Sequence, residues 1–182
     1  LACGLLALGF RRGQNLALIG DNRPHLYMSM VAVQSVGGVP IPLYQDAVAT
    51  EMAFVIEDAE VQFFFAENQE QVDKLLEVRE SVPSVTHIIY DDPRGLRNYE
   101  QPGLISTEKL MALGAEWDRA HPGAWKAEVE RNRPEDVSVI LYTSGTTGKP
   151  KGVCQTHSAF IASAQGGVEV DRLVPTANSI SY

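Results

Sequence analysis

The sequence predicts an α/β fold: a mostly parallel sheet flanked by helices. Three observations predict it. Short apolar runs of strand character alternate with stretches whose apolar residues recur at helical spacing. Signals that start and stop helices fall between the two kinds of stretch. A glycine- and hydroxyl-rich loop then follows directly on a strand-like run near the C-terminal end.

The first strand is predicted at residues 15–20, NLALIG. Asp21 or Asn22 is placed to cap the next helix, with Pro24 suited to its first turn. Leu26, Met30, Val33 and Gly37 share a face of that helix, and Gly37-Gly38 stops it. Residues 39–44, VPIPLY, are extended, but Pro40 and Pro42 make them an edge strand or no strand. Ala49, Met52, Ala53 and Ile56 recur at helical spacing, and residues 62–66, QFFFA, form a buried strand. Asn68 with Gln71 resembles a capping box, and Val72, Leu75 and Leu76 give that helix its buried stripe.

Residues 85–90, VTHIIY, supply the next strand, and residues 91–105 read as loop. Ser106 is placed to cap a helix running to about Ala120, and residues 121–136 read as a polar surface connection. At the N-terminus, Leu1, Leu5 and Leu8 share a helix face and point to a core. The apolar stretch is too short for a membrane span, and its Arg11-Arg12 pair follows the apolar run where a secretory signal has its charge before. The first residue is Leu1 and the last residues carry no closing signal, so the chain reads as an excised piece of a longer protein.

Composition narrows the function. The chain has 182 residues, 45% hydrophobic and 21% charged, which suits one globular domain. Lysine and arginine number 15 against 23 acidic residues, a net charge of −8 that argues against general nucleic-acid binding. Cys3 and Cys154 are far apart, which excludes a disulfide scaffold and a structural zinc site and suits reduced thiols in the cytoplasm. His25, His87 and His121 are scattered and suggest no metal site; the acidic residues at 57–60 and 67–80 read as solvated helix faces. Cys154 reads as a small buried hydrophobe, and His157 as a cap for backbone groups at a strand-to-helix junction rather than a ligand. Trp117 and Trp125 flank the polar connection and cover either a core edge or an interface.

The chemistry lies at 137–152. The strand at 137–142, VSVILY, runs into Thr143, Ser144, Gly145, Thr146, Thr147, Gly148, Lys149, Pro150, Lys151 and Gly152. Glycines let successive N–H groups turn inward around an anion, hydroxyls donate further hydrogen bonds, and lysines add compact positive charge. The spacing excludes a Walker loop: only two residues separate Gly145 from Gly148, and Pro150 stands where the metal-binding hydroxyl belongs. It does not fit G-x-G-x-x-G either. The residues after Pro150, KGVCQTH, look extended, so the loop joins two strands, with Lys149 and Lys151 on one face and a helix from Ser158 carrying Ile161.

The segment YTSGTTGKPKG at 142–152 resembles the signature loop of the adenylate-forming superfamily of acyl-CoA synthetases, luciferases and peptide-synthetase adenylation domains. The segments IGDNRP (19–24), GGVPIPLY (37–44), ENQEQVDKLLEVRE (67–80) and YDDPRGLR (90–97) resemble the long-chain fatty acyl-CoA synthetase branch. Residues 178–182 look like the start of the strand leading to that family's next motif. The resemblance implies that residues 1–182 are the N-terminal portion of an AMP-binding (adenylation) domain. It implies a ligase that joins a fatty acid to ATP, releasing pyrophosphate, and then transfers the acyl group to coenzyme A.

Carried over, the resemblance gives Tyr142, Thr143, Ser144, Gly145, Thr146, Thr147, Gly148, Lys149, Lys151 and Gly152 to the ATP phosphates. It places Thr143 near Mg2+ and makes Lys151 the catalytic lysine. Adenine, ribose and C-terminal catalytic groups are expected beyond Tyr182, which leaves this piece inactive by itself. A cytoplasmic enzyme with peripheral membrane contact suits a long-chain substrate. Three readings stand beside this one: a ligase for short-chain, aromatic or amino acids; a module that binds ATP without chemistry; and an inert half-domain that self-associates through cut edges.

Overall fold

The computed structural model describes residues 1–144 and 150–170. Its main layer is a five-stranded, all-parallel sheet in the order β2-β1-β3-β4-β5. The strands are β1 (Asn15–Ile19), β2 (Val39–Pro42), β3 (Val61–Ala66), β4 (His87–Tyr90) and β5 (Leu104–Ser106). Both faces are covered, which is why the strands read as unbroken apolar runs. Alternation along each strand splits the core in two. Ala17, Ile19, Phe64 and Ala66 face α3 (Ala49–Asp58) and α4 (Gln69–Glu77). Leu16, Leu18, Phe63 and Phe65 face α1 (Ala2–Ala7), α2 (Pro24–Ser35) and α5 (Thr107–Ala120).

Local chemistry places most boundaries where they were expected. Val36 ends α2, and Gly37 follows with φ +72°, the left-handed step that closes a helix. Asn68 accepts from the Gln71 N–H at 3.3 Å and starts α4; Ser106 accepts from the Lys109 N–H at 3.2 Å and starts α5. The capping box is only half built. The Gln71 side chain donates instead to the Gln45 carbonyl. As expected of VPIPLY, β2 is an edge strand of this sheet, yet Ile41 is fully buried.

Several expectations need correction. Neither Asp21 nor Asn22 caps α2. Arg23 holds the cap position without a side-chain bond; the Asp21 carboxylate lies 3.8 Å from the Arg23 guanidinium, its backbone N–H donates to the Glu67 carboxylate at 2.5 Å, and Asn22 accepts from the Tyr27 hydroxyl. Glu67 is therefore not on a solvated face: it is 7% exposed and also pairs with Arg23 at 2.5 Å. The loop at 91–105 ends in β5, three residues that pair with β4. The polar connection at 121–136 contains α6 (Ala124–Glu130). Arg12 fastens it, donating to the Glu128 carbonyl at 2.7 Å and to Asn132 Oδ1 at 2.9 Å. Trp125 lies half-exposed on this helix and donates to the Ser35 hydroxyl, while Trp117 stacks on His121. Among the described residues, no helix is long and apolar enough to cross a membrane.

Candidate functional site

The second layer is a two-stranded antiparallel sheet of β6 (Val137–Ser144) and β7 (Pro150–Thr156), followed by α7 (His157–Val170). The glycine-rich loop thus joins two strands, as its sequence implied. Ile140 and Tyr142 pack against the core cluster on the α3 side of the main sheet, and β6 runs beside β2. Gln34 fixes the base of the strand by donating to the Ser138 carbonyl at 2.8 Å.

Register sets the chemistry at the mouth of the hairpin. Tyr142 pairs with Gly152, Thr143 with Lys151, and Ser144 with Pro150. Directly opposed residues share a face, so the Thr143 hydroxyl and the Lys151 ammonium stand on the same side. Both are exposed, on the face that also carries exposed Leu141 and Val153. Tyr142 points to the other face, and its hydroxyl donates to Asp58 Oδ2 at 2.5 Å. Burial, and then the Asp58 carboxylate, push this phenol far above its ordinary pKa of 10, so it remains a proton donor. Gly152 lies under the ring: a Cβ there would stand 2.9 Å from Ile140 Cγ2 and 3.2 Å from Tyr142 Cζ.

Beside the hairpin is a largely apolar cavity of ≈170 Å³ between β2 and α3. Leu43, Tyr44, Met52 and Val55 line it, with Tyr142, Thr143 and Pro150 closing the hairpin side. Of the sequence-predicted site, Tyr142, Thr143, Ser144, Lys151 and Gly152 are brought together here. Gly145, Thr146, Thr147, Gly148 and Lys149 lie outside the described residues, as does the stretch 178–182.

Two flanking expectations fail. Cys154 is exposed, because β7 is an outer strand. Thr156, not His157, meets the start of α7, its hydroxyl accepting from the Ala159 N–H at 3.2 Å. The His157 backbone N–H instead donates to the Asp136 carbonyl. Sequence reasoning missed Asp58, which ends α3 and was read with a solvated acidic stretch. A lone acid 84 positions from its partner leaves no local signal.

The family model described as AMP-binding enzyme matches residues 1–181. The chain belongs to the AMP-binding enzyme family. A long-chain-fatty-acid–CoA ligase of Rattus norvegicus is 27% identical over 176 residues, covering 96% of this chain and 24% of its own length. One of Mycobacterium tuberculosis is 28% identical over 165 residues, covering 91% of this chain and 26% of its own. The chain thus spans about a quarter of the length of these relatives. Its fold matches the crystal structure of an anthranilate CoA ligase in complex with anthranoyl-AMP, with a TM-score of 0.74 and 24% identity. That match covers 93% of this chain and 30% of the ligase. The hairpin and the parallel sheet therefore belong to a known architecture.

Proposed function

We propose that the chain is the N-terminal portion of the adenylation domain of a long-chain fatty acid–CoA ligase, and that its β6–β7 hairpin holds the ATP phosphates. The carrying observation is the Thr143–Lys151 pair: a hydroxyl and an ammonium side by side on one exposed face, at the strand ends from which the glycine-rich loop departs. The names of the two curated relatives support the acyl-chain class.

In the proposed reaction a carboxylate oxygen attacks the α-phosphorus of ATP and pyrophosphate leaves. Negative charge builds on the departing oxygens. Lys151 meets it with a fixed positive charge, and Thr143 with a hydrogen-bond donor, both held in place by strand pairing before the reaction starts. Ser144 and the loop residues Gly145, Thr146, Thr147, Gly148 and Lys149 add donors and one further positive charge. Lys151 is the catalytic residue of this set. Tyr142 and Gly152 support the hairpin from its inner face.

The donor set fits a magnesium ion only as one shared with substrate. Thr143 offers a single neutral oxygen, and phosphate oxygens and water would complete the shell. When bound, the ion neutralises phosphate charge. Coenzyme A enters as the second substrate, its thiol attacking the acyl carbon and releasing AMP.

The test is acid-dependent ATP–pyrophosphate exchange by the full-length protein, with acids from acetate to oleate and with aromatic and amino acids. The proposal expects exchange that peaks with long acyl chains. A peak with benzoate-like or amino acids would move the chain to another branch. Absence of exchange with every acid would overturn the ligase reading and leave a nucleotide-binding module.

A further inference from the structure

We propose that Asp58 and Tyr142 form a tether that sets the position of the hairpin, which makes both of them positioning residues for adenylyl transfer; the proposal rests on the ligase reading above. The two lie 84 positions apart in sequence and meet at 2.5 Å. Asp58 is the last residue of α3, a helix packed on the main sheet. Tyr142 lies on β6, one residue before the Thr143–Lys151 pair. The bond therefore joins the rigid layer to the hairpin immediately beside its proposed catalytic groups.

Four features give the bond its purpose. A two-stranded hairpin by itself is marginally stable in water, so its hold on the main layer matters. The Gln34–Ser138 bond holds the far end of β6, four residues from Tyr142, and the Tyr142–Asp58 bond lies at the end nearer the glycine-rich loop. The acceptor is a carboxylate oxygen, and burial together with Asp58 raises the pKa of the phenol, so Tyr142 stays the donor. Gly152 supplies the room: any side chain there would meet the Tyr142 ring, so the glycine and the tyrosine work as a pair. Tyr142 faces inward while Thr143 and Lys151 face outward, so the tyrosine acts through its neighbours rather than on the nucleotide. Misplacing such groups by an ångström costs about a hundredfold in rate.

The test uses the full-length protein with Tyr142→Phe, Asp58→Asn and Asp58→Ala. In ATP–pyrophosphate exchange, Tyr142→Phe is expected to lower kcat at least about tenfold while the KM for the acid stays put. Asp58→Asn keeps an acceptor oxygen and is expected to retain more activity than Asp58→Ala. In a Lys151→Ala background, Tyr142→Phe is expected to add little further loss, because the lysine it positions is gone. Equal fold losses in both backgrounds would overturn the claim that the tether acts through the pair. Amide hydrogen exchange reads the tether without activity. Tyr142→Phe should speed exchange across 137–144 and 150–156 and leave 61–66 unchanged. Unchanged exchange in the hairpin would overturn the tether. A wild-type protein silent with every acid would sink the ligase reading alone, and hydrogen exchange would still decide the tether.

Discussion

Gly152 and Tyr142 face each other across the hairpin, and a methyl group at 152 has nowhere to go without moving Ile140 or the phenol. Gly152→Ala is expected to cost about 1–3 kcal/mol, the usual range for an added methyl in a filled space. Chemical denaturation of the purified variant measures it; a midpoint equal to wild type would mean that the ring shifts freely. His87 gives a pH signature. Its ring stacks on Phe63, with centroids 4.7 Å apart, and burial lowers its pKa below the ordinary 6.5. In the window just beneath 6.5 the unfolded chain takes up a proton that the folded protein resists. Stability is therefore full above 6.5, falls as the pH drops through that window, and levels off below the folded value. Thermal midpoints from pH 7.5 to 5 check this, and His87→Phe, which keeps the stack, is expected to flatten the profile. An unchanged slope in that variant would assign the effect elsewhere.

At the scale of elements, Glu67 joins the β1–α2 turn to the end of β3 by accepting from the Asp21 N–H and pairing with Arg23. Glu67→Ala leaves that N–H without its partner and is expected to cost about 1–3 kcal/mol. Glu67→Gln keeps an acceptor and should cost less, and urea unfolding separates the two. The same contact explains what was legible in the sequence. Helix starts at Asn68 and Ser106 were readable because their capping acts over three residues. The α2 cap was misread because the turn before it is tied by Glu67, 46 positions away, which accepts from the Asp21 N–H and pairs with Arg23, the residue that takes the cap position. β5 escaped because three residues hold no periodicity, and its pairing with β4 is purely tertiary. α6 escaped because it buries no residue fully and is held by Arg12 from the far end of the chain. Strands β1, β3 and β4 were legible because burial on both faces writes a continuous apolar run.

At the scale of the molecule, a rigid parallel layer carries a small antiparallel hairpin on its β2 side. The loop motif was legible because a phosphate site needs glycines, hydroxyls and lysines adjacent in sequence. Its support by Asp58 was not, since it is assembled by folding alone. The layer supplies position and the hairpin supplies charge, and the proposed catalysis needs both. ATP–pyrophosphate exchange by the full-length protein, compared with its Lys151→Ala variant in the presence of a long-chain acid, tests this most directly. Robust exchange is expected in the wild type, with a loss of about 10²–10³-fold in the variant, the scale for removing one pre-aimed charge-stabilising donor. Equal exchange in the two proteins would contradict it and place the charge-stabilising group elsewhere.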